Sequence, residues 1–312
     1  MLSTIKPAGE RFVNSINDIQ SRLAVAQQQI GTGLKVNQPS DAPDQISPIL
    51  QLHSAIQQNQ DIQAGLNTAL TRVKTGEGAL SNAVDLLQSG SVIATQATST
   101  TQTAETRAVL AQSVQALLEQ MVADSRTTLG GRYVFSGDQD GAPSYQLNLG
   151  ATTGTGVDQL QLASATSLVR GPGGVRYSTA LTANTIFDPR NTDPTQTPAA
   201  GNAFAALNRL RIALLANNSQ GISDSITALG TASTYMNTQL AFYGQAETRI
   251  TSDVNQAQGH LLQLQTALGS KTDADMTQAI TALTLGTTQL QAALSARARI
   301  PNTSLFDVLP PG

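Results

Sequence analysis

Apolar residues spaced alternately three and four apart dominate both ends of this 312-residue chain and are missing from its middle. That spacing marks helices that pack lengthwise against other helices. Phe12, Ile16, Ile19, Leu23, Ala26 and Ile30 follow it, until Gly31 and Gly33 interrupt. Pro39, Pro43 and Pro48 punctuate a loop in which Ser40 and Asp41 are capping candidates. The pattern restarts at Ile49 and runs through Leu52, Ile56, Leu66, Leu70, Val73, Leu80, Val84 and Leu87. As one helix to Ala97 this stretch would be roughly 70 Å long at ~1.5 Å per residue. Asn59 and Gln63 fall on its seam, where polar residues fix register at some cost in stability.

A turn rich in Ser and Thr, residues 98–103, precedes a helix carrying Leu110, Val114, Leu117 and Met121 and ending at Gly130-Gly131. Arg132 to Gly137 then reads as a strand, and the texture changes. From Asp138 to Gly201 the chain is rich in Gly, Pro, Asp, Asn and Thr, with strand-like pieces at 159–162 and 175–177. Helical spacing returns at Phe204 and runs long, to Leu268. Gly269-Ser270 is the expected break, and Asp273 the expected cap of a last helix bearing Met276, Ile280, Leu283, Leu290 and Leu294. The predicted fold is mainly α: a long antiparallel helical bundle or coiled coil formed by the N- and C-terminal halves, with a small β-rich insert domain. The expected divisions are 1–45, then 46–137 with 202–268 as the bundle, 138–201 as the insert, and 269–312.

Composition narrows what such a bundle does. Charged residues are only 12% of the chain and the net charge is −3, so the clustered Lys and Arg that nucleic-acid binding needs are missing. No stretch approaches the roughly 20 apolar residues that span a bilayer. The first residues, Met1 to Pro7, lack the apolar core of a cleaved signal peptide. There is no Cys and there are two His, which excludes disulfides, thiolate metal sites and Cys nucleophiles. His53 and His260 have no partner at metal-ligand spacing and read as structural or solvated. Asp138-Gln139-Asp140-Gly141 resembles the opening of a calcium loop without the Glu that should close it. Gly154-Thr155-Gly156 lacks the third glycine of a dinucleotide site, and Ser3-Thr4-Ile5-Lys6 matches S-x-x-K without its companion motifs. The pairs Asp41/Asp44 and Asp273/Asp275 suit helix capping better than acid–base work. No catalytic, cofactor or metal constellation is expected, and no enzyme.

What stands out instead is apolar surface at both ends. The stripes within residues 5–30 and 276–309 have little to cover them beyond each other, and uncovered apolar surface marks a docking site; the other reading is that the two termini simply form a coiled coil together. The candidate interface is Ile16, Ile19, Leu23, Ile30, Leu290, Leu294, Ile300, Leu305, Phe306 and Leu309.

Some of these residues form a familiar pattern. Gln29 to Pro43, with Gly31-Thr32-Gly33-Leu34-Lys35-Val36-Asn37 and Pro39-Ser40-Asp41-Ala42-Pro43, resembles the N-terminal signature of the bacterial flagellin family. Asp41-Ala42-Pro43 departs from the commoner Asp-Asp-Pro. Asp273 to Ala279, and Gln289 to Leu294, resemble the family's C-terminal helix. Gly131-Arg132-Tyr133-Val134-Phe135-Ser136-Gly137 and the ending Ser304-Leu305-Phe306-Asp307-Val308-Leu309 are similar to the hook-associated branch rather than to filament flagellins. The resemblance covers roughly residues 1–137 and 202–309.

It implies a structural subunit of the flagellum, an adaptor joining the hook-associated region to the flagellin filament, with filament flagellin itself as the alternative. It further implies that residues 1–45 and 269–312 belong to an inner tube, that the bundle forms the next shell, and that the insert faces solvent. The implied partners are like subunits in a ring or tube, flagellin, another hook-associated protein, and an export chaperone on the C-terminal helix. The implied location is extracellular, reached by type III export without a cleaved signal. An activity or ligand site housed in the insert is the third reading, and residues 138–201 contain no His or Cys to serve one.

Overall fold

The three-four spacing becomes helix in every stretch where the sequence carries it. The computed structural model describes residues 5–151, 154–192 and 196–298, with side chains from residue 9 onward. Among these described residues seven α-helices run α1 Ile5–Thr32, α2 Ile46–Ala97, α3 Ala104–Ser125, α4 Ala183–Ile186, α5 Ala203–Leu215, α6 Ser219–Thr272 and α7 Met276–Ala298. Six short strands lie between α3 and α4: β1 Thr128–Leu129, β2 Arg132–Tyr133, β3 Tyr145–Leu147, β4 Val157–Gln159, β5 Leu168–Arg170 and β6 Arg176–Ser178. The predicted architecture stands: a mainly helical antiparallel bundle of N- and C-terminal halves with a small β-rich insert. No helix among the described residues is long and apolar enough to cross a membrane.

The chain divides into two units, residues 1–57 with 261–312 and residues 58–260. In the larger one, α2 and α6 run antiparallel, and their contacts keep a constant register. Asn59 meets His260, Lys74 meets Glu247, Tyr243 lies over Gly76, and Leu229 lies against Gly90. A Cβ on Gly76 would come within 2.6 Å of the Tyr243 ring, so only glycine admits that ring. α3 and α5 pair antiparallel beside them. Thr103 caps α3 by accepting from the Thr106 amide, and Asn202 caps α5 by accepting from Ala205.

Buried Arg107 ties three chain ends together. It donates to the Ala97 carbonyl at the end of α2, and to Asn217 Oδ1 and Ser219 Oγ at the α5–α6 turn.

The strands form three antiparallel two-stranded ribbons, β1–β2, β3–β4 and β5–β6. Thr128 pairs with Tyr133 across Gly130-Gly131, both at positive φ (+59° and +78°), the left-handed pair that a two-residue hairpin turn requires. The strand expected over 132–137 stops at Tyr133. Beyond it the backbone turns inward, and Val134 and Phe135 become core residues. Phe135 meets Phe187 edge-on at 5.5 Å and Tyr243 at 6.2 Å, while Phe204 stacks on Phe187 and touches Tyr145. The insert therefore shares its core with the bundle instead of building one of its own. Its β5–β6 ribbon is fastened to α6 by the Tyr177 hydroxyl, which donates to Asp253 at 2.6 Å, and by Arg249 over the Tyr177 ring. The start of α5 is fastened by buried Asp188, which accepts from Arg190 and from Asn202.

Two expectations near the C-terminus need correction. α6 runs through Gly269-Ser270 to Thr272. Gly269 lies against the exposed Asp273 carboxylate. The cap of α7 is Asp275, whose Oδ1 accepts from the Thr277 and Gln278 amides; Asp273 instead pairs its backbone with Leu34.

Candidate assembly surface

In the smaller unit, α1 and α7 lie antiparallel. Leu34 bridges Asp273 at one end, Leu23 lies against Gly286 in the middle, and Arg297 sits over the Phe12 ring at the other. A Cβ on Gly286 would be 2.8 Å from Leu23 Cδ2, so the two helices meet where the smallest residue faces a leucine. The same register sets Ile16 opposite Ala293, Ile19 opposite Leu290, Ala26 opposite Leu283 and Ile30 opposite Ala279. Large residues face small ones along most of the seam, which lets two helices approach closely without voids.

This register sorts the ten candidate interface residues. Leu23 is buried, and Ile16, Ile19, Ile30 and Leu290 are half-buried on the seam between α1 and α7. Leu294 is 55% exposed and points away from the seam. Ile300, Leu305, Phe306 and Leu309 lie outside the described residues. The apolar stripe of α7 is thus two stripes. Ala279, Leu283, Gly286, Leu290 and Ala293 turn inward, while Met276, Ile280 and Leu294 turn out.

Both stripes follow three-four spacing, so spacing alone does not separate them. Val13 and Val25 on α1 and Leu285 on α7, outside the ten candidates, are exposed as well. The signal that separates the stripes was present: the glycine and alanines at 279, 286 and 293 recur every seventh residue opposite the bulky residues of α1. The outward face of α7 carries no charged side chain until Arg297. An exposed helix depleted of charge has the composition of an interface core.

The signature loop between α1 and α2 is held by Asp41, expected as a helix cap. Its carboxylate accepts from the Asn37 and Gln38 amides at 2.9 and 2.8 Å, and so fixes the turn ahead of α2. Gly33 follows α1 at φ +72°. Lys35 donates its amide to the Thr272 carbonyl and its ammonium to Ser270, so the loop is stitched to the end of α6.

The acidic turn at 138–141 and one of the two histidines are engaged by neighbouring groups. Asp138 accepts from the Ser164 hydroxyl and from the Ser164 and Ala165 amides, which hold its carboxyl below the usual range; Asp140 pairs with Arg132. His260 hydrogen-bonds Asn59 at 3.1 Å, and His53 lines a surface groove. Among the described residues no group of three His, Cys, Asp or Glu is placed to hold a metal. The motif at 131–137 is core and turn: Val134, Phe135 and Ser136 are fully buried, and Arg72 donates to the Tyr133 and Val134 carbonyls beside them.

Comparison with known proteins bears on this arrangement directly. Residues 10–140 match the bacterial flagellin N-terminal helical region, and residues 226–309 match the bacterial flagellin C-terminal helical region. The chain is 24% identical to flagellar hook-associated protein 3 of Salmonella typhimurium and 25% identical to that of Escherichia coli, each alignment covering 96% of both chains. Its fold is similar to that of Xanthomonas campestris FlgL (TM-score 0.58, 17% identity, 70% of this chain and 99% of that one). It is also similar to that of a Vibrio parahaemolyticus protein (TM-score 0.63, 14% identity, 75% of this chain and all of that one). Matched at both terminal helical regions, which together make up more than half of its length, the chain belongs to the bacterial flagellin family.

Proposed function

We propose that this protein is a structural subunit of the bacterial flagellum, an adaptor between the hook-associated region and the flagellin filament. The observation that carries the reading is the nearly complete alignment, end to end and through the insert, with two relatives named flagellar hook-associated protein 3. A filament flagellin is not favoured by that match. The uncharged outward face of α7 supports docking.

In this reading residues 1–45 and 269–312 line an inner tube, 46–137 with 202–268 form the surrounding bundle, and 138–201 face solvent. Ile16, Ile19, Leu23, Ile30 and Leu290 shape the α1–α7 pair. Leu294, Ile300, Leu305, Phe306 and Leu309 supply contacts to neighbouring subunits. The neighbours are like subunits in a ring, flagellin on one side and another hook-associated protein on the other. Before assembly an export chaperone covers the C-terminal helix, and the chain leaves the cell by type III export. No cofactor takes part.

Immunogold labelling of intact flagella tests this. A band at the hook–filament boundary is expected, with only a trace of the protein in sheared filaments. Label along the whole filament would make it a flagellin.

A further inference from the structure

We infer that the β5–β6 ribbon of one subunit docks through Arg170 and Arg176 on the Glu77–Glu247 pair of a second copy standing beside it. Arg170 and Arg176 are directly opposite each other across the ribbon. Val169 is buried and Tyr177 is fastened to α6, so strand alternation turns both arginines to the other, outer face, which they share with Leu168, 60% exposed. Among the described residues no carboxylate lies within ion-pair distance of either arginine. Like charges set opposite each other destabilise a ribbon, and an arriving carboxylate removes the repulsion.

Glu77 and Glu247 are the matching case of opposite sign, both half-buried where α2 meets α6. Burial, and then the adjoining Glu247 carboxyl, raise the Glu77 carboxyl above its usual range. Lys74, 3.3 Å from Glu247, offsets only one of the two charges. A guanidinium fork bonds both oxygens of a carboxylate, so two arginines meeting two carboxyls relieve both strained pairs at once.

Position makes this a contact between copies. At about 100° per residue, Glu77 lies roughly 140° around α2 from Arg72, which donates to the Tyr133 and Val134 carbonyls at the root of the insert. On α6, Glu247 lies roughly 120–160° around from Arg249 and Asp253, the residues that hold Tyr177 of the ribbon. Both helices thus put the acidic pair on the side away from the ribbon. Along the axis the two are nearly level, since Glu247 precedes Arg249 and Asp253 by only about 3–9 Å. A subunit cannot bring its arginines round to its own carboxyls, whereas a neighbour at the same height presents them directly. The contact joins two different faces of one chain, and contacts of that kind close into rings. This inference deepens the assembly reading and rests on like subunits standing side by side.

The test is disulfide trapping in intact flagella, since the chain has no cysteine of its own. The full-length double variant Glu77→Cys with Arg176→Cys leaves Arg170 and Glu247 to hold the contact, and circular dichroism checks that it keeps its helix. On oxidation it should run as covalent dimers and longer chains, while each single cysteine variant stays monomeric. Co-expressed, the two single variants should give dimers and nothing longer, because each offers one thiol. Adding Arg170→Glu to the double variant should cut the trapped fraction at least tenfold. A double variant that assembles and stays monomeric overturns the proposal, as does a disulfide closed within one chain, or trapping that Arg170→Glu leaves unchanged. If trapping fails while immunogold still shows a band at the hook–filament boundary, this contact is wrong and the adaptor reading stands. Trapped chains with label along the whole filament would keep the contact and sink the adaptor reading.

Discussion

Asp124, in the last turn of α3, is half-buried, and its Oδ2 is buried with no hydrogen-bond partner. Burial pushes its carboxyl up from an ordinary 3.8 to about 6. Between those values the folded chain holds a proton that the unfolded chain has released. The contribution to stability is therefore complete below about 3.8 and is lost as pH rises through about 6. Asp124→Asn keeps the shape without the charge. Its melting temperature should exceed the parent's at pH 8, and the gap should close towards pH 4. A gap of the same size at both pH values would mean that the carboxyl is not held neutral by the fold. How far such residues can be read from sequence depends on whether their partner is nearby. Asn59 was legible as a polar seam residue, since three-four spacing alone places it there. That its amide meets His260 was not, because the pairing depends on the register between two helices separated by most of the chain.

At the scale of elements, spacing located the helices well because a helix reports its own period over many residues. It failed where a local break signal was outvoted: α6 passes through Gly269-Ser270 and keeps helical backbone to Thr272. The strand expected over 132–137 shortened because Val134 and Phe135 gain more from the aromatic core than from extending a two-residue ribbon. The two stripes of α7 could be told apart only by asking which residues on α1 face which. Gly286→Val tests that seam. A branched side chain against Leu23 should push α1 and α7 apart, so amide exchange over residues 9–32 quickens while the bundle at 58–260 keeps its protection. Unchanged exchange in α1 would place Leu23 elsewhere. Arg107→Met tests the bundle's closed end. It strips hydrogen bonds from the Ala97 carbonyl and Asn217 in a buried setting, and the unfolding free energy should fall by about 2–4 kcal/mol. A loss within ±0.5 kcal/mol, seen in urea unfolding, would show that solvent replaces those bonds.

The whole molecule separates the surface that stabilises the subunit from the surface that is left over. Ile16, Ile19, Leu23, Ile30 and Leu290 serve the fold of the α1–α7 pair, so changing them would confuse misfolding with failed assembly. Ile280 and Leu294 do not have that defect: they are 52% and 55% exposed on the outward face of α7. In a closed assembly each would be buried in every subunit, and full burial of such a side chain contributes roughly 1.5–3 kcal/mol. The double variant Ile280→Asp with Leu294→Asp removes that burial and sets two carboxylates into an apolar contact, a cost that repeats around the assembly. The isolated chain should melt within a few degrees of the parent, since neither side chain has much to lose in the monomer. Cells carrying it should export the protein, build hooks, and shed flagellin into the medium without growing filaments. Circular dichroism and a flagellin blot of the medium read the two halves of this expectation separately. Normal filaments from a folded, exported double variant would show that the outward face of α7 is not where subunits meet, and the search would move to Val13 and Val25 on α1, the exposed apolar residues of the same helical pair.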